Sequence, residues 1–240
     1  MRRIRIYTDQ VLNAMTQVEL QDETAHYVSK VLRLRIGDPL CVFNGDGNEY
    51  EGYVEDMSKK TVLLTLETRL TPQTESPLHT ILGLGISRGE RMDFAIQKST
   101  ELGVSVIVPL FTEHCEVKLA AERLDRRQEH WQQIAVSACE QSGRVKIPHV
   151  AKPLALSDWV KGVQAEKKFM FDLSQANALT GSRPEDGVAL LIGPEGGLSA
   201  AEQALALKEG FTGIALGSRV LRTETAPVAA LSVLQFLWGS

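Results

Sequence analysis

The spacing of apolar residues changes character near residue 70. Before it, Ile4 and Ile6 alternate with Arg3, Arg5 and Tyr7, the period of two that sends side chains to opposite faces of a strand. Pro39–Asn44, Glu49–Met57 and Thr61–Leu70 predict further short strands. Asn44-Gly45-Asp46-Gly47-Asn48 is a tight-turn sequence, because Gly and Asn tolerate positive φ. A helix is expected from Asp22 to about Leu34. Short strands punctuated by turns predict a small β-barrel over residues 1–70. Thr71–Pro77 is polar, carries Pro72 and Pro77 and has no period, so it reads as a linker.

Over residues 78–240 strands alternate with helices. Strands are expected at Leu78–Ile86, Val104–Leu110, Lys168–Leu173, Val188–Ile192 and Phe211–Leu216. Met92, Ala95, Ile96 and Ser99 have helical spacing, with Gly103 as a stop. Trp131, Ile134, Ala135 and Ala138 repeat it before Gly143. Ser199-Ala200-Ala201-Glu202 has the form of a capping box. The alternation predicts an α/β domain with a parallel sheet and helices on both faces. The last helix, about Glu224 to Trp238, has almost no polar face. Such a helix is normally buried, so this one is expected against its own domain on one side and another subunit on the other.

The chain has 240 residues and a formal net charge of −4, so a broad basic field is excluded while local patches are not. No apolar h-region follows Arg2 and Arg3, and no apolar run approaches the roughly 18 residues of a membrane span. Cys41, Cys115 and Cys139 are far apart and odd in number, which fits free thiols in a reducing cytoplasm. The expectation is a cytoplasmic protein with no membrane partner.

Two loops carry the candidate chemistry. Gly193-Pro194-Glu195-Gly196-Gly197 follows an apolar strand, and its glycines let backbone approach a ligand. Leu216–Thr225 packs Arg219, Arg222, Glu224, Thr223 and Thr225 around Val220 and Leu221. Both loops should lie side by side at the carboxyl edge of the sheet, where open α/β folds bind ligands. Gly83-Leu84-Gly85-Ile86-Ser87-Arg88-Gly89 is a weaker match to a dinucleotide fingerprint, with Arg88 in place of its third glycine. Histidines and cysteines lack metal spacing, so no metal is expected. Candidate anion contacts are Arg3, Arg5, Lys30, Arg33, Arg88 and Arg144, though each taken singly also fits a solvated face.

Leu191–Ser199 and Leu216–Thr225 closely resemble the C-terminal motifs of the ribosomal RNA small subunit methyltransferase E family, of the SPOUT class. Ser87–Met92, Gln97–Gly103 and Ala138–Arg144 resemble its central motifs, so the resemblance covers essentially the whole chain. Ala226-Pro227 departs from the pattern but keeps the helix start. The resemblance implies a PUA-like barrel followed by an α/β domain with a trefoil knot. It also implies S-adenosylmethionine as cofactor, a homodimer, and methylation at N3 of one uridine in the decoding region of 16S rRNA in the small ribosomal subunit.

On that footing the cofactor is expected at Gly193, Pro194, Glu195, Gly196, Gly197, Leu216, Gly217, Leu221, Arg222 and Thr223. Arg222 would polarise the uracil and Glu224 would accept the N3 proton, with solvent as the alternative base. RNA would dock on Arg3, Arg5, Lys30 and Arg33, with Arg88 and Arg144 as further contacts. The rival functions are a nicotinamide-dependent oxidoreductase using Gly83–Gly89 and a non-catalytic RNA-binding protein.

Overall fold

Period-two alternation lets a strand bury one face, and the N-terminal part of the chain builds a single core that way. The computed structural model describes residues 4–115, 121–172, 177, 179 and 181–239, with backbone alone at 121 and 122. Arg3 and Leu173 lie outside the described residues. Two compact units result, one of residues 1–75 with 139–147 and the other of residues 76–138 with 148–240.

In the first unit, β1 (Arg5–Tyr7), β2 (Thr16–Gln21), β3 (Pro39–Phe43), β4 (Glu49–Met57) and β5 (Thr61–Leu70) form a five-stranded sheet in the order β1-β3-β4-β5-β2. β1 pairs with β3 in parallel, and the other pairs are antiparallel. Ile6, Val18, Val42, Val54 and Leu64, one from each strand, meet in one buried cluster. β2 was not expected: its only inward apolar residues are Val18 and Leu20, set among polar neighbours. Helix α1 (Asp22–His26) passes into a π-helical turn at Tyr27–Val31 and stops short of Leu34.

The second unit holds β6 (Thr80–Gly85), α2 (Glu90–Glu101), β7 (Val106–Phe111), most of α3 (Ala121–Ser142), β8 (His149–Val150), β9 (Leu154–Ala155), α4 (Leu156–Gly162), β10 (Lys167–Phe171), β11 (Val188–Ile192), α5 (Ala200–Lys208), β12 (Thr212–Ile214) and α6 (Thr225–Trp238). Its sheet runs β12-β10-β11-β6-β7-β8, with β9 beside β7, and every pairing is parallel. β8, β9 and α4 are too short to leave a periodic signal. α2, α3 and α6 cover one face through Met92, Ile96, Trp131, Ala230 and Leu231. Trp159 and Val160 of α4 and Ala206 of α5 cover the other. β11, buried at every residue, reads as the continuous apolar run of a strand covered on both faces.

In α6, Ala226, Ala230, Leu231, Leu234 and Trp238 are buried, but Phe236 is 86% exposed and Leu237 41%. The described residues therefore cover this helix on one side only.

Within the first unit the last turn of α3 and the loop after it are tied down by charge. Arg5 donates to the carbonyls of Cys139 (2.6 Å) and Arg144 (2.9 Å), pairs with Glu49 (3.1 Å) and lies 4.4 Å over the Phe43 ring. Arg144 pairs with Glu75 at 2.8 Å, and the same carboxylate accepts from the N–H groups of Val145 and Lys146. The side chains of Arg5 and Arg144 are only 9% and 6% exposed, so the expected RNA contacts there are corrected: their donors are spent inside the protein. Burial, the largest influence, pushes the Cys139 thiol up to about 12, which makes it an inert core group.

Burial also acts to raise the Glu75 carboxyl, but Arg144 and the two backbone N–H groups outweigh it and hold it below its ordinary value. A depressed folded value gives stability that is present above the unfolded carboxyl value and lost as pH falls through the folded one. Arg144→Ala should lower the unfolding free energy by about 3 kcal/mol, as expected for removing one partner of a buried pair. In urea melts, the gap between wild type and Glu75→Gln should be largest near neutrality and shrink as pH falls below the ordinary carboxylate range.

Candidate functional site

β11 leaves the sheet at Ile192 and enters Gly193–Ser199, where the chain reverses into α5. The turn is fixed by its capping box: the Glu202 N–H donates to Ser199 Oγ, and the Ser199 N–H donates to Glu202 Oε2. β12 likewise leads through residues 215–224 into α6. The strands that launch these loops are not neighbours, because β10 lies between them. The end of β10 therefore forms a third wall.

The three walls enclose a cavity of about 570 Å³. Gly193, Pro194, Glu195, Gly197 and Leu198 line one side, Leu216 and Arg219–Glu224 another, and Phe171 and Asp172 the third. Ile192, Gln203, Ala226 and Arg91 complete the lining. Phe171, Asp172, Gln203 and Arg91 were not expected. Asp172 was within reach of sequence reasoning, since it follows a recognisable strand at the ligand-binding edge. Gly196 and Gly217 were expected at the ligand but do not line the cavity. A Cβ on Gly196 would meet the Cβ of His114 at 2.8 Å, so that glycine makes room for a neighbouring loop. Gly217, at φ +81°, serves the turn.

The first loop is held from several directions. The buried Thr223 hydroxyl donates to the Gly193 carbonyl at 3.0 Å, joining the two walls directly. His114 Nδ1 lies 3.0 Å from the Gly196 carbonyl, which can only accept, so Nδ1 carries the proton. Glu195 Oε1 accepts from the Arg88 N–H and the Arg91 guanidinium, both at 3.1 Å. Burial acts to raise this carboxyl, but the N–H groups of Glu195 and Arg88 and the Arg91 charge outweigh it and lower it.

Arg222 and Glu224 lie close together, with Arg222 Nη1 3.9 Å from Glu224 Oε1. Arg222 is 79% exposed and Glu224 17%. Glu224 Oε2 is buried with no hydrogen-bond partner among the described residues. A buried acceptor in that state costs free energy until a donor arrives.

Lys30 and Arg33 are exposed on the first unit, where Lys30, Arg35 and Lys59 border an open groove. Arg88 is exposed on the second unit. Arg3 lies outside the described residues. Gly83 and Gly85 of the Gly83–Gly89 run have a packing purpose: a Cβ on Gly83 would strike the Trp159 ring at 2.5 Å, and one on Gly85 would strike the Pro194 nitrogen at 2.5 Å. The space that a dinucleotide fingerprint leaves for pyrophosphate is filled by protein. Among the described residues no group of His, Cys, Asp and Glu could hold a metal ion, and no helix is long and apolar enough to cross a membrane.

Residues 74–235 match the family model of an RNA methyltransferase domain, and residues 20–67 match an RNA methyltransferase PUA domain. The chain is 37% identical to a ribosomal RNA small subunit methyltransferase E of Buchnera aphidicola (subsp. Schizaphis graminum), over 98% of this chain and 96% of that one. A Legionella pneumophila methyltransferase, solved with the bound cofactor SAM, is 40% identical with a TM-score of 0.94, covering 98% of both chains. A Neisseria gonorrhoeae ribosomal RNA small subunit methyltransferase E, bound to S-adenosyl methionine, is 36% identical with a TM-score of 0.92, covering 99% of both.

The clasp between the walls can be tested directly. Thr223→Val keeps the shape but strands the Gly193 carbonyl, and should cost about 1–3 kcal/mol of stability. Thr223→Ser keeps the donor and should lose less, a difference that thermal unfolding of the two variants will read.

Proposed function

The chain belongs to the ribosomal RNA small subunit methyltransferase E family, and on that premise we propose that it uses S-adenosylmethionine to methylate N3 of a uridine in the decoding region of 16S rRNA. The cavity carries this reading. It joins glycine-rich backbone, apolar walls and a buried carboxylate oxygen without a donor among the described residues, near an exposed guanidinium.

The residues present fit the cofactor. The cavity volume lies within the usual range for small-ligand sites, about 300–1,000 Å³. Gly193, Pro194 and Gly197 offer backbone groups, while Phe171, Ile192, Leu198, Leu216 and Leu221 supply apolar surface that excludes water. Glu224 adds negative charge at the lining, which suits a cationic ligand. S-adenosylmethionine, when bound, supplies a methyl group on a sulfonium centre.

Uridine N3 holds a proton between two carbonyls and is a poor nucleophile until that proton leaves. The base must be unstacked to reach the cavity. Arg222, beside the same cavity, would stabilise the negative charge that spreads onto the uracil oxygens as the proton departs. Glu224 Oε2 would receive the proton, since it is a buried acceptor with no donor of its own. Orientation of the base supplies much of the remaining barrier reduction.

The uncovered Phe236 and Leu237 on α6 support a homodimer, in which a second copy covers the exposed side of this helix. Of the first-unit cations expected at RNA, Lys30 and Arg33 are exposed and available to its phosphates, beside the exposed Arg35 and Lys59. The chain passing from β12 at the sheet edge to α6, which packs against the central strands, is in keeping with the knotted topology.

Small subunits lacking the modification, incubated with the protein and labelled S-adenosylmethionine, should yield N3-methyluridine by mass spectrometry. RNA binding without methyl transfer would instead identify a non-catalytic binding protein, and stabilisation by a nicotinamide nucleotide alone would identify an oxidoreductase. Glu224→Gln should slow single-turnover methylation by about 100-fold or more; a full rate across pH would assign the proton to solvent. Phe236→Glu should shift the protein to monomer in sedimentation.

A further inference from the structure

Charge around the cavity is sorted by depth. The Glu224 and Glu195 side chains are 17% and 25% exposed, and Asp172 is half-buried. Arg222 and Arg91 are 79% and 49% exposed, and Arg219 is exposed as well. Glu224 and Asp172 therefore sit inward, whereas the guanidiniums, and Glu195 on its exposed loop, sit outward around one opening. An inner layer of this kind attracts a cation, and an outer layer attracts an anion.

Arg219 has no hydrogen-bond or ion-pair partner among the described residues and is exposed. Arg91 gives one donor to Glu195. A guanidinium has five N–H groups, so most of that fork stays available. Val220, next to Arg219, is 83% exposed at the same opening. A rim of planar cations around an apolar side chain matches a nucleotide chain better than a simple ion. Guanidinium forks bind phosphate oxygens in pairs, and an apolar surface suits the face of a base. A nucleotide that enters base-first must leave its flanking phosphates at the mouth.

We propose that Arg91 and Arg219 form a phosphate clamp that grips the RNA backbone beside the target nucleotide while its base occupies the cavity. Val220 packs against the nucleotide at the entrance. Arg91 and Arg219 are positioning residues, distinct from Arg222 at the reacting base. The inference rests on the function proposed above, and it explains how a protein of net charge −4 engages RNA through a local feature.

The test compares wild type with Arg219→Gln and Arg219→Lys. RNA affinity, measured on unmodified small subunits without cofactor over a range of salt, should fall by about tenfold in Arg219→Gln. Its logarithmic salt slope should flatten by about one, as expected for one lost phosphate contact. Arg219→Lys should restore the slope but only part of the affinity, because charge returns without the fork. RNA affinity should fall more than the affinity for S-adenosylmethionine measured by calorimetry, and KM for the subunit should rise more than kcat falls. An unchanged affinity and slope would overturn the clamp. So would a loss of dimer in sedimentation, which would assign the rim to a second copy. RNA binding is read without turnover, so wild type that binds with the full slope but transfers no methyl group would overturn the catalytic reading and leave the clamp standing.

Discussion

The site depends on one close approach between backbones. β11 and β6 pair in parallel with Ile192 opposite Leu84, so the residues that follow, Gly193 and Pro194, come down beside Gly85. A Cβ at Gly85 would lie 2.5 Å from the Pro194 nitrogen, closer than nonbonded atoms can approach. The missing side chain lets the loop rest on the end of β6. Thr223 then fastens Gly193 from the other side, which brings the second loop against the first. The cavity is what remains between a loop pinned to one strand and a loop pinned to that loop.

That constraint explains what the sequence disclosed and what it hid. Buried strands betray themselves by apolar runs, and Val188–Ile192 was legible to the residue. So was the start of α5, because a capping box is a local motif with local causes. Strand order is not local. Nothing in the spacing of residues says that β10 intrudes between β11 and β12, so the wall that Phe171 and Asp172 provide went unseen. The Gly83–Gly89 run misled for the same reason. A glycine that makes room for Trp159 or Pro194 looks, in one dimension, like a glycine that makes room for a phosphate.

Charged residues show the limit most clearly. Arg5 and Arg144 read as surface cations because arginine usually is one. Their partners are far away in sequence: Arg5 reaches Cys139 and Arg144, and Arg144 reaches Glu75. The segment that holds Glu75 looked like a featureless linker. Its carboxylate takes bonds from Arg144, Val145 and Lys146, so the end of that linker is a fixed point of the first unit.

Buried charge thus has two fates in this protein, and hydrogen bonding tells them apart. In the first unit, Arg5 and Glu75 each hold several partners, which offsets the cost of removing them from water. Such groups brace a structure and have little left to offer a ligand. Glu224 differs, since its Oε2 is buried without a donor among the described residues while Oε1 is 3.9 Å from a largely solvated Arg222. Asp93 Oδ1 is also buried without a partner among the described residues, but Asp93 does not line the cavity, and a backbone N–H like those that serve Glu75 could have served Glu224. The unfilled acceptor of Glu224 stands at the lining of a cavity built from both signature loops. Its cost is intelligible when the missing donor is supplied by what binds there.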